Sequence, residues 1–320
     1  MKNKIINIKK IIKKYEIPHI SKHIKLYMKN NIQPTMGAII TGSDPGSISY
    51  MKGIENFCKK YHIDFIKKAT NKKNELIKII KKWNNDKNIN GFMIMYPTIF
   101  NAKDTLFMNM IKETKDLEGL TANHLGYLVQ HKKYKDPEKI RKLIIPPTAK
   151  GILYIFKKYY TIYENYYKKN NCFPDNLDKN PFKIEGKKIT IINDSLAVGR
   201  SLGLMLLNEN GSVRICHEYN SFEDILESVS ISDFITSAVP SAEFKIPTKK
   251  IPKNSIVIDL SFNGNFKYPD IYNKVYKIAP KWKLVEKGNR INDITLYRLI
   301  SNLFYLINLK LPINLIKKLQ

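Results

Sequence analysis

The sequence predicts an α/β protein built from two lobes. Three observations predict it. Short apolar runs alternate with segments of helical periodicity, which requires crossover connections and mostly parallel sheets. A break at Pro146-Pro147 interrupts that alternation near the middle of the chain. Beyond it a second strand–helix series starts at Lys188, with the rhythm of a dinucleotide-binding domain. The expected boundaries are an N-terminal α/β domain over 1–150 and a Rossmann-like domain over 151–284. The 320 residues, 43% hydrophobic and 11% aromatic, suffice for two cores of ordinary size and exclude a wholly disordered chain. No run of 18 apolar residues occurs, which excludes a spanning helix.

The elements follow in order. The first thirty residues predict a basic helix, because Ile5, Ile6, Ile8, Ile11, Ile12, Ile20 and Ile24 fall mostly at helical spacing. MGAIITG (36–42) predicts a strand ending at a Gly-Ser-Asp-Pro-Gly turn. Residues 47–60 predict a helix with Ser47 as its N-cap. A short strand over 61–65, a helix over 74–83 and a strand over 91–96, stopped by Pro97, complete the first series. After the break comes a helix over 151–160, then an Asn-, Lys- and Tyr-rich tract at about 163–185 that reads as a surface insertion. The second series runs as strand 189–192, the turn NDSLAVGRS, helix 202–207, strand 212–217, helix 222–229, and strands 233–239 and 255–260. An amphipathic helix over 292–309 ends the pattern, with Asn292-Asp293 available to cap it.

Net charge is +27, from 55 Lys and Arg against 28 Asp and Glu. Nucleic-acid binding is the reading this invites. The excess is lysine, with arginine only at 141, 200, 214, 290 and 298, whereas bidentate base and phosphate recognition favours arginine. The lysine is spread along the chain with Asn and Ile, as coding in an AT-rich genome would produce. Small polyanions are attracted in either case. Cys58, Cys172 and Cys216 form neither a disulfide framework nor a zinc pattern. They fit a reducing compartment such as the cytoplasm, with a mitochondrion or other organelle left open.

Taken alone, the turn at 193–200 is a generic phosphate site: a strand runs into a helix N-terminus, but Gly199 is the only glycine. Specificity comes from the order of seven segments. SDPGSISY (43–50), GFMIMYP (91–97), KDLEGLTANHLGYL (115–128), PPTAKG (146–151), NDSLAVGRSLGLMLL (193–207), VRICHEYN (213–220) and SIVIDLSFN (255–263) stand in this sequence. In that order they resemble the D-P-A-S-x-x-Y, G-x-x-V-Q-L-P, K-D-V-D-G, P-C-T-P-x-G, G-x-S-x-x-V-G-x-P, V-T-x-C-H-S and A-x-V-I-D-V-G-I-N elements of the bifunctional methylenetetrahydrofolate dehydrogenase/methenyltetrahydrofolate cyclohydrolases. The likeness covers nearly the whole chain. It implies that the C-terminal segment, 285–320, returns to complete the first domain, with folate bound between the domains. It implies a dinucleotide cofactor, NADP in preference to NAD, and a homodimer joined through the Rossmann-like domain. Residues 1–42 then supply the helix and strand that precede the Asp-Pro turn, leaving no length for a cleaved leader.

The family oxidises 5,10-methylenetetrahydrofolate and hydrolyses the methenyl product. Oxidation is hydride transfer, in which positioning is most of the protein's task. Hydrolysis also needs a group that handles a proton. By resemblance Tyr50 is the tyrosine that packs on folate. The family's catalytic Lys position holds Ile54, its Gln position holds Met95, and the second Asp of its D-V-D-G element is Glu118, with Asp116 retained. Lys52 lies about 200° around a helix from residue 50, so either Lys52 or Lys287 would need a local distortion to reach the place. The family's Pro- and Gly-rich C-terminal loop corresponds to GNRINDIT (288–295), where Gly288 alone remains. On the cofactor side the resemblance assigns Asn193, Asp194, Ser195, Val198, Gly199, Arg200 and Ser201 from the turn. It adds His217 and Glu218 after the next strand, and Phe262 after the strand at 255–260. Where the family has a Gly near the nicotinamide, this chain has Ala238-Val239-Pro240. The expectation is a dehydrogenase whose cyclohydrolase step is absent or weak. Two alternatives stand beside it: a binding or scaffold protein without catalysis, and a charge-driven nucleic-acid binder.

Overall fold

The structure, a computed structural model, describes residues 4–100 and 105–319. The chain divides into two compact units.

One unit comprises Tyr15–Pro147 and Leu296–Gln320. Its three-stranded parallel sheet has the order β2-β1-β3, from β1 (Thr35–Ile40), β2 (Asp64–Ala69) and β3 (Gly91–Ile94). The central strand β1 is buried along its whole length, which is why it reads as a continuous apolar run rather than an alternating one. Helices Pro45–Lys60 and Lys73–Asn85 make the crossovers. Leu76, Ile80 and Trp83 of the second helix pack on Ile39, Phe92 and Ile94 of the sheet. From Leu296 onward the C-terminal helix, Ile291–Asn308, packs in this unit. Gly91 makes room for it, since a Cβ there would lie 2.5 Å from a methyl of Leu306. Buried Asn302 donates through Nδ2 to the carbonyls of Leu117 and Ile145, both at 2.9 Å.

The other unit comprises Thr148–Thr295 and the described residues up to Lys14. Its five strands are β4 (Lys188–Ile192), β5 (Ser212–Cys216), β6 (Phe234–Ser237), β7 (Ile256–Asp259) and β8 (Lys277–Ala279). They form a parallel sheet of order β5-β4-β6-β7-β8. The order reverses between β4 and β6. In open α/β sheets ligands bind beyond the carboxyl ends of the strands at such a reversal.

Several expectations are corrected. The N-terminal segment does not join the first domain whole: Ile5 bridges Ile278, and the Ile6 amide donates to the Ile278 carbonyl at 2.9 Å, tying it to β8. Strand β8 has three residues, too short to announce itself by periodicity. Helix Pro45–Lys60 is capped by Asp44, whose Oδ2 accepts from the Ser47 amide at 2.7 Å, so Ser47 lies inside the helix. The polar tract is not simply a surface insertion. Helix Pro147–Asn170 runs through its first part, where the Tyr163 hydroxyl lies 2.7 Å from that of Tyr276, and in the rest buried Asn180 donates to the Tyr160 carbonyl. Most of 288–295 is the first turn of the C-terminal helix. Asp293 accepts there from the amides of Gly288 and Arg290, so it caps by reaching back and not as the cap residue itself.

Candidate functional site

In the first unit the sequence-named residues gather at the carboxyl edge of the three-stranded sheet. Asp116 bridges Phe92 in parallel, and the Leu117 amide donates to the Phe92 carbonyl. That register brings Glu118 level with the end of β3, which Met95 immediately follows. The Met95 amide continues the sheet to the Ile39 carbonyl at 2.8 Å. The start of helix Pro45–Lys60 is tied to the same edge, with the Ser47 hydroxyl on the Tyr96 carbonyl.

Tyr50 and Ile54 stand one helical turn apart, on one face. Tyr50 is half-buried, and its hydroxyl is pushed far above the usual phenol range, first by burial and then by the negative charge of Glu118. Glu118 therefore faces Tyr50 electrostatically. Its carboxyl is raised to about 8 by burial and by neighbouring Asp116. At pH 7 that group is mostly a neutral acid, able to donate one hydrogen bond as well as accept. Ile54 is fully buried and Met95 is 4% exposed. The two positions where the family places its proton-handling pair are thus apolar and closed. Lys52 is exposed, as its place on the helix requires, and so is Lys287.

Asp116 is not a solvated turn residue. It is buried, and it organises the loop. Its Oδ1 accepts from the amides of Glu118 (3.2 Å) and Gly119 (2.9 Å), and its Oδ2 from the amide of Thr121 (2.9 Å) and from His124 Nδ1 (2.8 Å). Sequence reading missed His124 and Thr121. The signal was present, a histidine eight residues after the acid on the next helix, but a lone histidine says nothing until the loop folds back on it.

In the second unit the sequence-named residues lie on loops that leave the carboxyl edge of the five-stranded sheet and on the helical turn, Leu196–Arg200, and helix start that follow the first of them. The turn after β4 is built around Asn193. Its Oδ1 accepts from the Ser195 amide (3.1 Å), the Ser195 hydroxyl (2.7 Å) and the Gly199 amide (3.0 Å), and its Nδ2 donates to Ala238 across the β4/β6 reversal (3.3 Å). Gly199 is buried, and a Cβ there would stand 1.7 Å from the Asn193 carbonyl oxygen. The close approach that requires this glycine is to the turn itself. Ser201 is likewise corrected: it is buried, and its hydroxyl donates to the Leu196 carbonyl, so it holds the turn and does not face outward. Val198 is half-buried, Ser195 is exposed, and exposed Arg200 pairs with Asp194 at 3.2 Å. The first-turn amides after Ser195 are of the kind that have no partner within a helix. This donor set and the tight turn fit a dinucleotide pyrophosphate.

After β5, His217 and Glu218 are exposed. The His217 amide donates to Asn220 Oδ1 at 2.9 Å, and its Nδ1 accepts from the Tyr219 amide at 3.2 Å. After β7, Phe262 is 57% exposed, with the Lys283 ammonium 4.6 Å from its ring centre. Sequence reading also missed a buried clasp at this edge. Asn265 accepts from the Ser237 hydroxyl (2.7 Å) and the Val239 amide (3.0 Å) and donates to the Val239 carbonyl (3.0 Å), while its own amide donates to Asp259. It holds the 238–240 stretch, where the expected glycine is absent. Among the described residues no cluster of acids, histidines or cysteines is arranged to hold a metal ion, and no helix is long and apolar enough to cross a membrane.

These features define a class: a two-unit α/β protein with a carboxylate–tyrosine site on one sheet and a dinucleotide-type turn on the other. The chain belongs to the tetrahydrofolate dehydrogenase/cyclohydrolase family. The family's catalytic-domain model matches residues 6–118 and its NAD(P)-binding-domain model matches 174–306. The chain is 26% identical over 299 residues to the bifunctional protein FolD of Clostridium tetani, covering 89% of this chain and 94% of that protein. It is 26% identical over 314 residues to the methylenetetrahydrofolate dehydrogenase [NAD(+)] of Schizosaccharomyces pombe, covering 92% and 90%. In fold it is similar to the NAD-dependent 5,10-methylenetetrahydrofolate dehydrogenase of Saccharomyces cerevisiae, with a TM-score of 0.77 at 22% identity, covering 94% of this chain and 96% of that one.

Proposed function

We propose that this protein is a nicotinamide-dinucleotide-dependent 5,10-methylenetetrahydrofolate dehydrogenase in which the cyclohydrolase step is absent or very weak. The observation that carries the proposal is a contrast: Tyr50 is kept and a carboxylate, Glu118, stands at the second Asp position, both half-buried, while Ile54 and Met95 are apolar and closed. The bound nicotinamide supplies a hydride acceptor. What the chain supplies is position. The Tyr50 ring offers a flat apolar surface for a pterin. Glu118, mostly protonated at neutral pH, offers that ring's polar edge both a donor and an acceptor. Asn193 and Gly199 shape the turn that would receive the pyrophosphate, and Asn265 holds the neighbouring 238–240 stretch.

Oxidation removes a hydride and needs no side chain to carry a proton. Hydrolysis of the methenyl product adds water and must lose a proton to a nearby group. Neither Ile54 nor Met95 can receive one. Homodimerisation belongs to the same proposal, and light scattering tests it separately.

The deciding experiment follows nicotinamide reduction by 5,10-methylenetetrahydrofolate and, separately, the disappearance of methenyltetrahydrofolate. We expect cofactor-dependent oxidation with methenyl loss at the uncatalysed rate. Methenyl hydrolysis at ordinary enzyme rates, roughly 1–10³ s⁻¹, overturns the loss of that step. Absence of oxidation with either dinucleotide overturns the dehydrogenase. In the double variant Ile54→Lys/Met95→Gln, methenyl hydrolysis should rise above that of the wild type.

A further inference from the structure

Strands β4 and β5 are neighbours, with Ile192 paired to Cys216. Two residues beyond that pair, each strand carries a carboxylate: Asp194 after β4 and Glu218 after β5. Asp194 holds the only arginine of the turn, Arg200, in an ion pair at 3.2 Å. Glu218 is exposed on the compact 217–220 turn, which closes through the Asn220 amide on the His217 carbonyl and the Asn220 side chain on the His217 amide. In doubly wound sheets the adenosine ribose of a dinucleotide lies at the end of this second strand. An acid there hydrogen-bonds the ribose 2′-hydroxyl, whereas an arginine accommodates a 2′-phosphate.

We infer that Asp194 and Glu218 make this protein discriminate against a 2′-phosphate and prefer NAD to NADP. The inference rests on the dehydrogenase reading above and reverses the NADP assignment that family resemblance implied. Glu218 is placed to accept a hydrogen bond from the 2′-hydroxyl. A 2′-phosphate instead brings nearly two further negative charges to the same place. Arg200, on the neighbouring turn, is already paired with Asp194. The chain's net charge of +27 acts the other way, since it attracts the more highly charged NADPH. That field is long-ranged and screened beyond about 8 Å at physiological salt. Contact repulsion at Glu218 acts within that distance and is screened less, so the local term decides.

The test is equilibrium titration of the full chain with NADH and NADPH, followed by nicotinamide fluorescence at about 0.15 M salt, close to physiological ionic strength. NADH should bind about tenfold or more tightly than NADPH, a modest ratio for one displaced charge contact. In Asp194→Ser/Glu218→Ser, NADPH binding should tighten by about the same factor while NADH binding weakens or stays level. The single variant Glu218→Gln, which leaves the Arg200 pair in place, should move the ratio in the same direction. Equal or tighter NADPH binding by the wild type overturns the discrimination and leaves the dehydrogenase reading standing. Binding of neither dinucleotide overturns both.

Discussion

Asp116 and His124 are joined by a hydrogen bond of 2.8 Å between Oδ2 and Nδ1, both side chains almost wholly buried. The same carboxylate accepts three backbone amides of the loop that carries Glu118. A carboxylate with four donors is well compensated for its burial, and the bonds are charge-assisted. The pair therefore anchors the loop that carries Glu118.

Asp116→Asn puts a donor where acceptors are needed. It should lower stability by about 1–3 kcal/mol, the cost of leaving buried donors unmet. It should also weaken binding of a folate analogue, because the Glu118 amide loses its fixed partner. Denaturant midpoints and calorimetric titration read the two effects. A wild-type midpoint for Asp116→Asn would show that the loop is ordered by something else.

Glu118 sets a pH dependence. Its folded pKa of about 8 lies above the unfolded value of about 4.3. The stability linked to its proton is therefore fully present below about 4.3 and is lost as pH rises through 8. Affinity for a folate analogue should likewise change across pH 7–9 as Glu118 ceases to donate. Glu118→Gln keeps a donor and an acceptor but cannot ionise, so both profiles should flatten. An unaltered profile in that variant would assign the titration to another group.

Gly199→Ala forces a methyl to within 1.7 Å of the Asn193 carbonyl oxygen, and that oxygen is backbone. No rotamer relieves the clash, so the turn must open. The loss in unfolding free energy should be about 1–3 kcal/mol or more, with dinucleotide binding lost alongside. Gly126→Ala, where a Cβ meets nothing within 4 Å, is the matched control and should be near neutral.

His23 predicts acid lability of the first unit. It stacks on Phe304 with ring centres 4.8 Å apart, and its Nδ1 lies 2.9 Å from the His19 carbonyl. Burial, the largest influence, lowers its pKa to about 4 from an ordinary value near 6.5. The folded state resists its protonation, so this contribution is intact above 6.5 and disappears as pH falls through 4. His23→Gln should show a shallower loss of thermal stability between pH 6.5 and 4. An identical slope would exclude His23 as the cause.

Much of the architecture was legible because its signals are local. The buried run at β1, the helix with Leu76, Ile80 and Trp83 in line, and the alternation after Lys188 depend on residues a few positions apart. The tract at 163–185 misled because composition measures exposure on average. Tyr163 is buried against Tyr276, 113 residues away, and Asn180 bonds Tyr160, 20 residues back, and composition reveals neither partner. Ser47 misled because the helix starts three residues earlier, where Asp44 caps it by accepting from the Ser47 amide.

In the first unit the amino-acid identities at 54 and 95 were enough to exclude proton transfer by those two side chains, since no fold gives Ile or Met an exchangeable side-chain proton. Identity alone could not say that Glu118 would be a mostly neutral acid beside Tyr50. That is a matter of burial and of a second carboxylate close in space. Nor could it say that Asp194 and Glu218 would each follow the end of one of two neighbouring strands, because strand order is set by long-range pairing. Residue chemistry is intrinsic to the chain. Dielectric environment and neighbourhood come into being only when distant segments pack, and they decide what that chemistry does.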